Sequence, residues 1–152
     1  MTIFPDPPGY AAWEAQVPEA IKRDPIWRTP AYRFGLMIGD LAAAEAEALR
    51  RDTRTHTMAD QLLRAVQSIS TNLTEGYGHT TGRERARYYD YALTSALESC
   101  DWYYKVRPVL GDTIFEDRHA LLQRIIRILT AIIPRERADR GGRRRRNPPP
   151  DS

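Results

Sequence analysis

The sequence predicts an all-α protein, an antiparallel up-down-up-down four-helix bundle, and three observations carry that prediction. The chain has 11 prolines, yet none falls between Ala31 and Arg107. A proline in a helix interior costs about 3 kcal/mol, so this stretch permits long helices. Apolar residues recur three and four positions apart in four successive segments, the helical period. No alternating run of convincing strand length occurs, and no internal repeat. Four such stripes joined by short loops bury one another most simply as a bundle.

The elements follow in order. Residues 1–28 form an N-terminal docking segment. Its first 17 residues are rich in proline and glycine and are expected to be extended. One helical turn is expected within Pro18–Arg28, with Ile21, Ile26 and Trp27 available to dock on the body. The bundle is assigned to 29–134. Its first helix opens at Thr29-Pro30, an N-cap followed by proline at the first helical position. Phe34, Met37, Leu41, Ala44 and Ala48 form its stripe, and it ends near Arg51. The second runs from about Thr57 to Glu75 with Met58, Leu62, Val66, Ile69 and Leu73 on one face, and Gly76 is expected to end it in the left-handed conformation. The third starts at the capping box Thr81-Gly82-Arg83-Glu84. It carries Tyr89, Leu93, Ala96, Cys100 and Tyr103, and breaks at Pro108 to Gly111. Asp112 or Thr113 caps the fourth, which stops at Pro134. Residues 135–152 hold no apolar side chain larger than alanine apart from prolines, so this tail is expected to be disordered.

At 152 residues the chain is one domain plus tails. The single cysteine, Cys100, excludes an internal disulfide framework. The opening MTIFPDPPGY lacks the features of a secretory signal, and no apolar run approaches the ~18 residues of a membrane span. A cytoplasmic protein is expected. The net charge of +3 is unevenly placed. Seven arginines in the tail (Arg135, Arg137, Arg140, Arg143, Arg144, Arg145, Arg146) stand against three acids, so the tail carries +4 and the body −1. Any nucleic-acid footprint therefore belongs to the tail.

The fourth helix has two adjacent apolar stripes, Leu121, Ile125, Ile128, Ile132 and Leu122, Ile126, Leu129, Ile133. Tyr88, Tyr91, Trp102 and Tyr104 also fall off the main stripe of the third. This excess suggests a self-association surface built from Tyr88, Tyr91, Trp102, Leu121, Ile125, Ile128 and Ile132. The alternative is that the N-terminal segment covers the face through Ile26 and Trp27.

One polar cluster interrupts the helical pattern. Arg64, Ser68, Asn72 and Glu75 share a face of the second helix, and Ser95 and Glu98 fall near the seam of the third. The favoured reading is a buried polar network fixing the register of the two helices. The competing one is a Glu75/Glu98 carboxylate pair for acid–base work. Glu116-Asp117-Arg118-His119 matches half of a di-iron motif, but the second half is missing from the sequence. Cys100 on an apolar stripe reads as a small hydrophobe. No catalytic residue, cofactor or metal ligand is assigned.

The run Gln61-Leu62-Leu63-Arg64-Ala65-Val66, then Ser68, Asn72-Leu73-Thr74-Glu75-Gly76-Tyr77-Gly78, then Tyr88-Tyr89 and Ala92-Leu93-Thr94-Ser95-Ala96-Leu97-Glu98, resembles the 23S ribosomal RNA intervening-sequence protein family. The resemblance spans roughly residues 28–134 and leaves the basic proline tail outside. Thr71 and Thr74 stand where the family usually has alanine. The resemblance implies a small helical protein without known enzymatic activity, often a ring-shaped homopentamer. A related branch, the accessory variability protein of diversity-generating retroelements, is an adaptor for nucleic acid and a reverse transcriptase, with a strongly basic body. The reading is a non-enzymatic oligomeric scaffold or nucleic-acid-associated adaptor. Its partners are further copies of itself and RNA or an RNA-associated protein. Binding to RNA through the tail alone is the alternative, and an enzyme using Glu75 and Glu98 the least favoured.

Overall fold

Four long helices follow a short N-terminal arm in the computed structural model, which describes residues 4–139. The arm holds α1 (Tyr10–Glu14), α2 (Glu19–Arg23) and a 3-10 turn at Pro25–Arg28. Then come α3 (Pro30–Arg51), α4 (His56–Gly78), α5 (Gly82–Leu110) and α6 (Asp112–Ala138), with no strand among the described residues. Each long helix packs on the next, and α6 returns to α3. No helix among the described residues is long and apolar enough to cross a membrane.

The helix starts follow local chemistry. Pro30 supplies the fixed φ of a first helical residue, and Thr81 Oγ1 accepts a 3.2 Å hydrogen bond from the Glu84 amide. Inside, Phe34, Ile38, Leu62, Ile69, Leu122, Ile125 and Leu129 are all inaccessible to solvent. Burial of each such side chain contributes about 1.5–3 kcal/mol. On α5 most of the inward positions are small (Gly82, Ala86, Ala92, Ser95, Ala96, Ser99), which admits the larger side chains of α4 and α6.

Several boundaries depart from the sequence reading, some through the backbone conformation of a glycine and some through tertiary contact. Residues 1–17 are not wholly extended, because Gly9 (φ +78°) turns the chain into α1. That turn buries Tyr10 edge-on against Phe34, with ring centroids 5.7 Å apart. Helix α4 runs through Gly76, which stays helical and serves close approach instead. A Cβ there would lie 2.7 Å from the Tyr89 ring. Helix α5 passes through Pro108 and ends only at Gly111, whose φ of +90° suits glycine. Gly111, not Asp112 or Thr113, occupies the N-cap of α6. Helix α6 continues past Pro134 to Ala138, moving the expected end at 134. Arg85 holds this extra turn, as described below. The rest of the expected disordered tail, 140–152, lies outside the described residues.

The stripe of α3 is shifted from the one the spacing suggested. Phe34, Ile38, Ala42, Glu45 and Leu49 are buried, whereas Ala44 and Ala48 are exposed. Two interleaved periodicities run through this alanine-rich helix, and packing selects the one with larger residues. Both stripes of α6 are used within the chain, since Leu121, Leu122, Ile125, Ile128, Leu129 and Ile133 are buried. The helix contacts both α5 and α3, so it needs two apolar faces. Leu121, Ile125 and Ile128 are therefore core residues and not free interface residues. Ile132 is half-buried and packs against the core.

The N-terminal arm reaches α6 through Pro5, whereas the 3-10 turn that carries Ile26 and Trp27 packs on α3 and not on the α6 stripe as the alternative reading expected. Ile26 is buried, Trp27 stacks on Trp13 at 6.1 Å, and Arg124 Nη1 donates to the Pro5 carbonyl at 2.7 Å.

Candidate functional site

The apolar surplus lies on α5. Core packing takes the face of α5 that carries Ala92, Ala96, Ser99 and Tyr103. Leu93, Leu97, Cys100 and Tyr104, spaced four, three and four, run along the flank toward α6, where Gln123 approaches Cys100 and Phe115 meets Tyr104 at 6.2 Å. Tyr88, Tyr91, Ser95, Glu98 and Trp102 run along the opposite flank toward α4. Tyr91, Leu97 and Tyr104 are 43%, 53% and 55% exposed. Tyr88 and Trp102 are half-buried, with Tyr88 stacked on His79 at 4.8 Å. Leu97 was not singled out from the sequence, because its stripe reads as a continuation of the core pattern. Burial pushes the Cys100 thiol above its ordinary pKa, which disfavours the reactive thiolate.

The polar cluster of α4 and α5 is smaller than the sequence suggested. Ser68 Oγ donates to Ser95 Oγ at 2.5 Å, and Asn72 Nδ2 donates to the Ser68 carbonyl at 2.9 Å. Ser95 in turn donates to the Tyr91 carbonyl at 2.9 Å. The charged members are not part of a buried network, since Arg64, Glu75 and Glu98 are all exposed. Glu98 accepts from Trp102 Nε1 at 3.3 Å on its own helix. Helical spacing gives a shared face but not its depth, and this face sits at the rim of the α4–α5 seam. Changing Arg64, Glu75 or Glu98 singly to alanine should shift unfolding free energy by less than about 0.5 kcal/mol. Urea titration checks this, and a loss of several kcal/mol at any of the three would contradict it.

A buried charge cluster occurs elsewhere, and the sequence reading missed it. Glu45 on α3 is 9% exposed. It accepts from Tyr103 Oη at 2.9 Å and from Arg118 Nε at 2.6 Å. Arg118 also pairs with Asp117. The cluster joins α3, α5 and α6 at one level. Burial first, and the Glu45 charge second, push the Tyr103 phenol well above its ordinary pKa. Tyr103 is thus a neutral donor here, and the three groups satisfy one another. The signal was available, because Glu45 stands on the Phe34, Ile38, Ala42, Leu49 period.

A second buried cation closes the opposite end. Arg85 has a 5% exposed side chain and bonds Glu136 Oε2 at 2.7 Å and Asp139 Oδ2 at 2.9 Å. Its Nη1 also donates to the Thr80 carbonyl at 2.9 Å. The backbone of α6 passes so close that a Cβ on Gly82 would lie 2.1 Å from the Glu136 carbonyl oxygen. This clamp holds the root of the tail beside Arg83, Arg87 and Arg137, which line one shallow depression with Glu84 and Asp90. Arg137 pairs with Asp90, and Arg87 Nε donates to Tyr91 Oη at 2.9 Å. Arg135 is exposed, whereas Arg140 and Arg143 to Arg146 lie outside the described residues.

Comparison with known proteins adds one result. No curated protein and no solved structure matches the chain. The family model described as 23S rRNA-intervening sequence protein matches residues 42–131, which takes in the end of α3, all of α4 and α5, and most of α6. That is more than half of the sequence, and it includes the α4–α5 segment on which the resemblance rests. The chain belongs to the 23S rRNA-intervening sequence protein family.

Proposed function

We propose that this protein is a non-enzymatic scaffold in which copies of an antiparallel up-down-up-down bundle assemble through the flanks of α5. A homopentamer is the assembly that the family resemblance implies. The observation that carries the reading is the exposure of Tyr91, Leu97 and Tyr104 on one helix. Large aromatic side chains are enriched at interface cores, and the two flanks present two separate apolar patches, Leu97 with Tyr104 and Tyr91 beside Tyr88, each of which a neighbouring copy can cover. Helix α5 also offers both signs of charge around these residues, with Arg87, Lys105 and Arg107 beside Glu98 and Asp101. A second copy can meet such a surface without like charges opposing each other. The bundle topology is supported by short connections between long helices and by the clusters that tie distant ends, Arg85 to Glu136 and Arg118 to Glu45. Double substitution of Leu97 and Tyr104 by glutamate should give smaller species with unchanged helicity. Light scattering and circular dichroism read both. An assembly of unchanged mass would refute the role of α5.

Nucleic-acid association at the arginine end is the second half of the proposal, in a cytoplasmic setting. The grouping of Arg83, Arg87 and Arg137 around the root of the tail supports it. Arginine pairs with phosphate in a fork geometry, and phosphate contacts carry no base information, so binding should be weak and insensitive to sequence. With about 4–6 phosphate contacts to a single strand, log affinity should fall against log salt with a slope of roughly −3 to −4. Truncation after Asp139 should remove most of this retention. Unchanged affinity in the truncated chain would place the binding surface on the bundle.

A further inference from the structure

The N-terminal arm and α3 do not close on each other completely. Between them lies a groove of about 900 Å3. Trp13 and Ile21 form one wall, Leu36 and Leu41 the other, and Met37 the floor. Four of these apolar side chains are only half-buried, Met37 being the exception. The polar groups of the groove are acidic on balance. Asp40 holds the Trp13 indole in place by accepting from Nε1 at 2.8 Å, which leaves its second oxygen available. At the far end stand Asp117 and Arg118, and the Arg118 guanidinium is already neutralised by Glu45 behind it. Among the lining residues, Asp40 and Asp117 against Arg118 give the groove a net charge of −1, and Glu45 behind Arg118 adds a further buried negative charge.

We propose that this groove is the docking site of the chain's own C-terminal segment, residues 140–152, seated through Pro148, Pro149 and Pro150. Three observations select this occupant. The first is chemistry. Proline-rich segments dock in aromatic-lined grooves because their backbone is already extended and loses little entropy on binding. Trp13 supplies the aromatic wall, and Pro8 and Pro18 extend the rim. The second is charge. Arg143 to Arg146 precede the prolines with only Asn147 between, and the groove presents Asp40 and Asp117. The third is length. Asp139, clamped by Arg85, lies 21 residues beyond Arg118 along α6, which is about 32 Å at 1.5 Å per residue. The prolines lie 9 to 11 residues beyond Asp139, and a chain of that length spans at most about 30–40 Å, at roughly 3.3–3.6 Å per residue. The segment therefore reaches the groove of its own chain. Where the tail arginines also hold RNA, groove and RNA compete for one segment. That consequence rests on the nucleic-acid reading, whereas the docking does not.

The test uses the full chain without RNA, so its outcome is separate from that of the truncation experiment. A bimane is attached to Ser152→Cys in a Cys100→Ala background, and contact quenching by tryptophan is read. Quenching is expected, with recovery on Trp13→Phe and none on Trp102→Phe. Replacing Pro148, Pro149 and Pro150 by glycine should also relieve it, with an unchanged helical circular dichroism signal as the control for folding. Diluting labelled chains into an excess of unlabelled Trp13→Phe chains should leave quenching unchanged. Absence of quenching, or quenching indifferent to Trp13 and to the prolines, would overturn the proposal. So would quenching that disappears on mixing, because the occupant would then be the tail of a second copy.

Discussion

Arg118→Met should unfold at a markedly lower denaturant concentration, with a loss of about 3–5 kcal/mol. The methionine replaces most of the buried stem, so lost packing is a minor part of the effect. The larger part is Glu45, which is 9% exposed and would keep only the Tyr103 hydroxyl as a partner. A buried carboxylate with one neutral donor either remains charged at high cost or takes up a proton. Adding Glu45→Gln to Arg118→Met should recover part of the loss, since the stranded charge is then gone. Urea titrations of the two single variants and the double variant form the cycle. Additive losses would mean that the cluster is not coupled. The same cluster has a signature at high pH. Tyr103 is raised in the folded chain by burial, while an unfolded tyrosine ionises near 10. Its contribution is fully present below that value and falls as pH rises toward the folded pKa. The slope is about 1.4 kcal/mol per pH unit. Tyr103→Phe should reduce this alkaline loss by one tyrosine's share.

Ile128→Glu should abolish the fold. The side chain is 2% exposed and sits on α6 among Leu121, Leu122, Ile125 and Leu129. Losing the apolar burial costs about 2–3 kcal/mol, and burying an unpaired carboxylate in its place costs several more. Together these rival the 5–15 kcal/mol by which a domain of this size is stable. Loss of the helical circular dichroism signal at neutral pH is the expected result. A folded, smaller species would instead place Ile128 between subunits. The contrast with Leu97 is direct, because a charge on that half-exposed side chain should leave the helices formed.

The helical periods were legible in the sequence because they depend on local spacing, and so was the cap at Thr81. What the sequence withheld was depth. Arg64, Ser68, Asn72 and Glu75 share a helix face, but only contact with α5 decides that Ser68 and Asn72 turn toward the seam while the charges stay outside. Glu45 and Arg118 are 73 residues apart, and no local pattern joins them. The end of α6 was misplaced for the same reason. Pro134 is a sound local stop signal, but Arg85, contributed by another helix, holds the next turn in place. On α6 the second apolar stripe was correctly seen as an excess over one contact. The excess is taken up by α5 and α3 together, and the true surplus lies on α5.

The mass of the full chain in solution, measured by light scattering at micromolar concentration, tests the scaffold reading most directly. The expected result is a multiple of the 17.4 kDa chain mass, near fivefold, that falls when Leu97 and Tyr104 are both charged. A single species at 17.4 kDa would contradict it and leave the exposed aromatic flanks of α5 without the partner proposed for them.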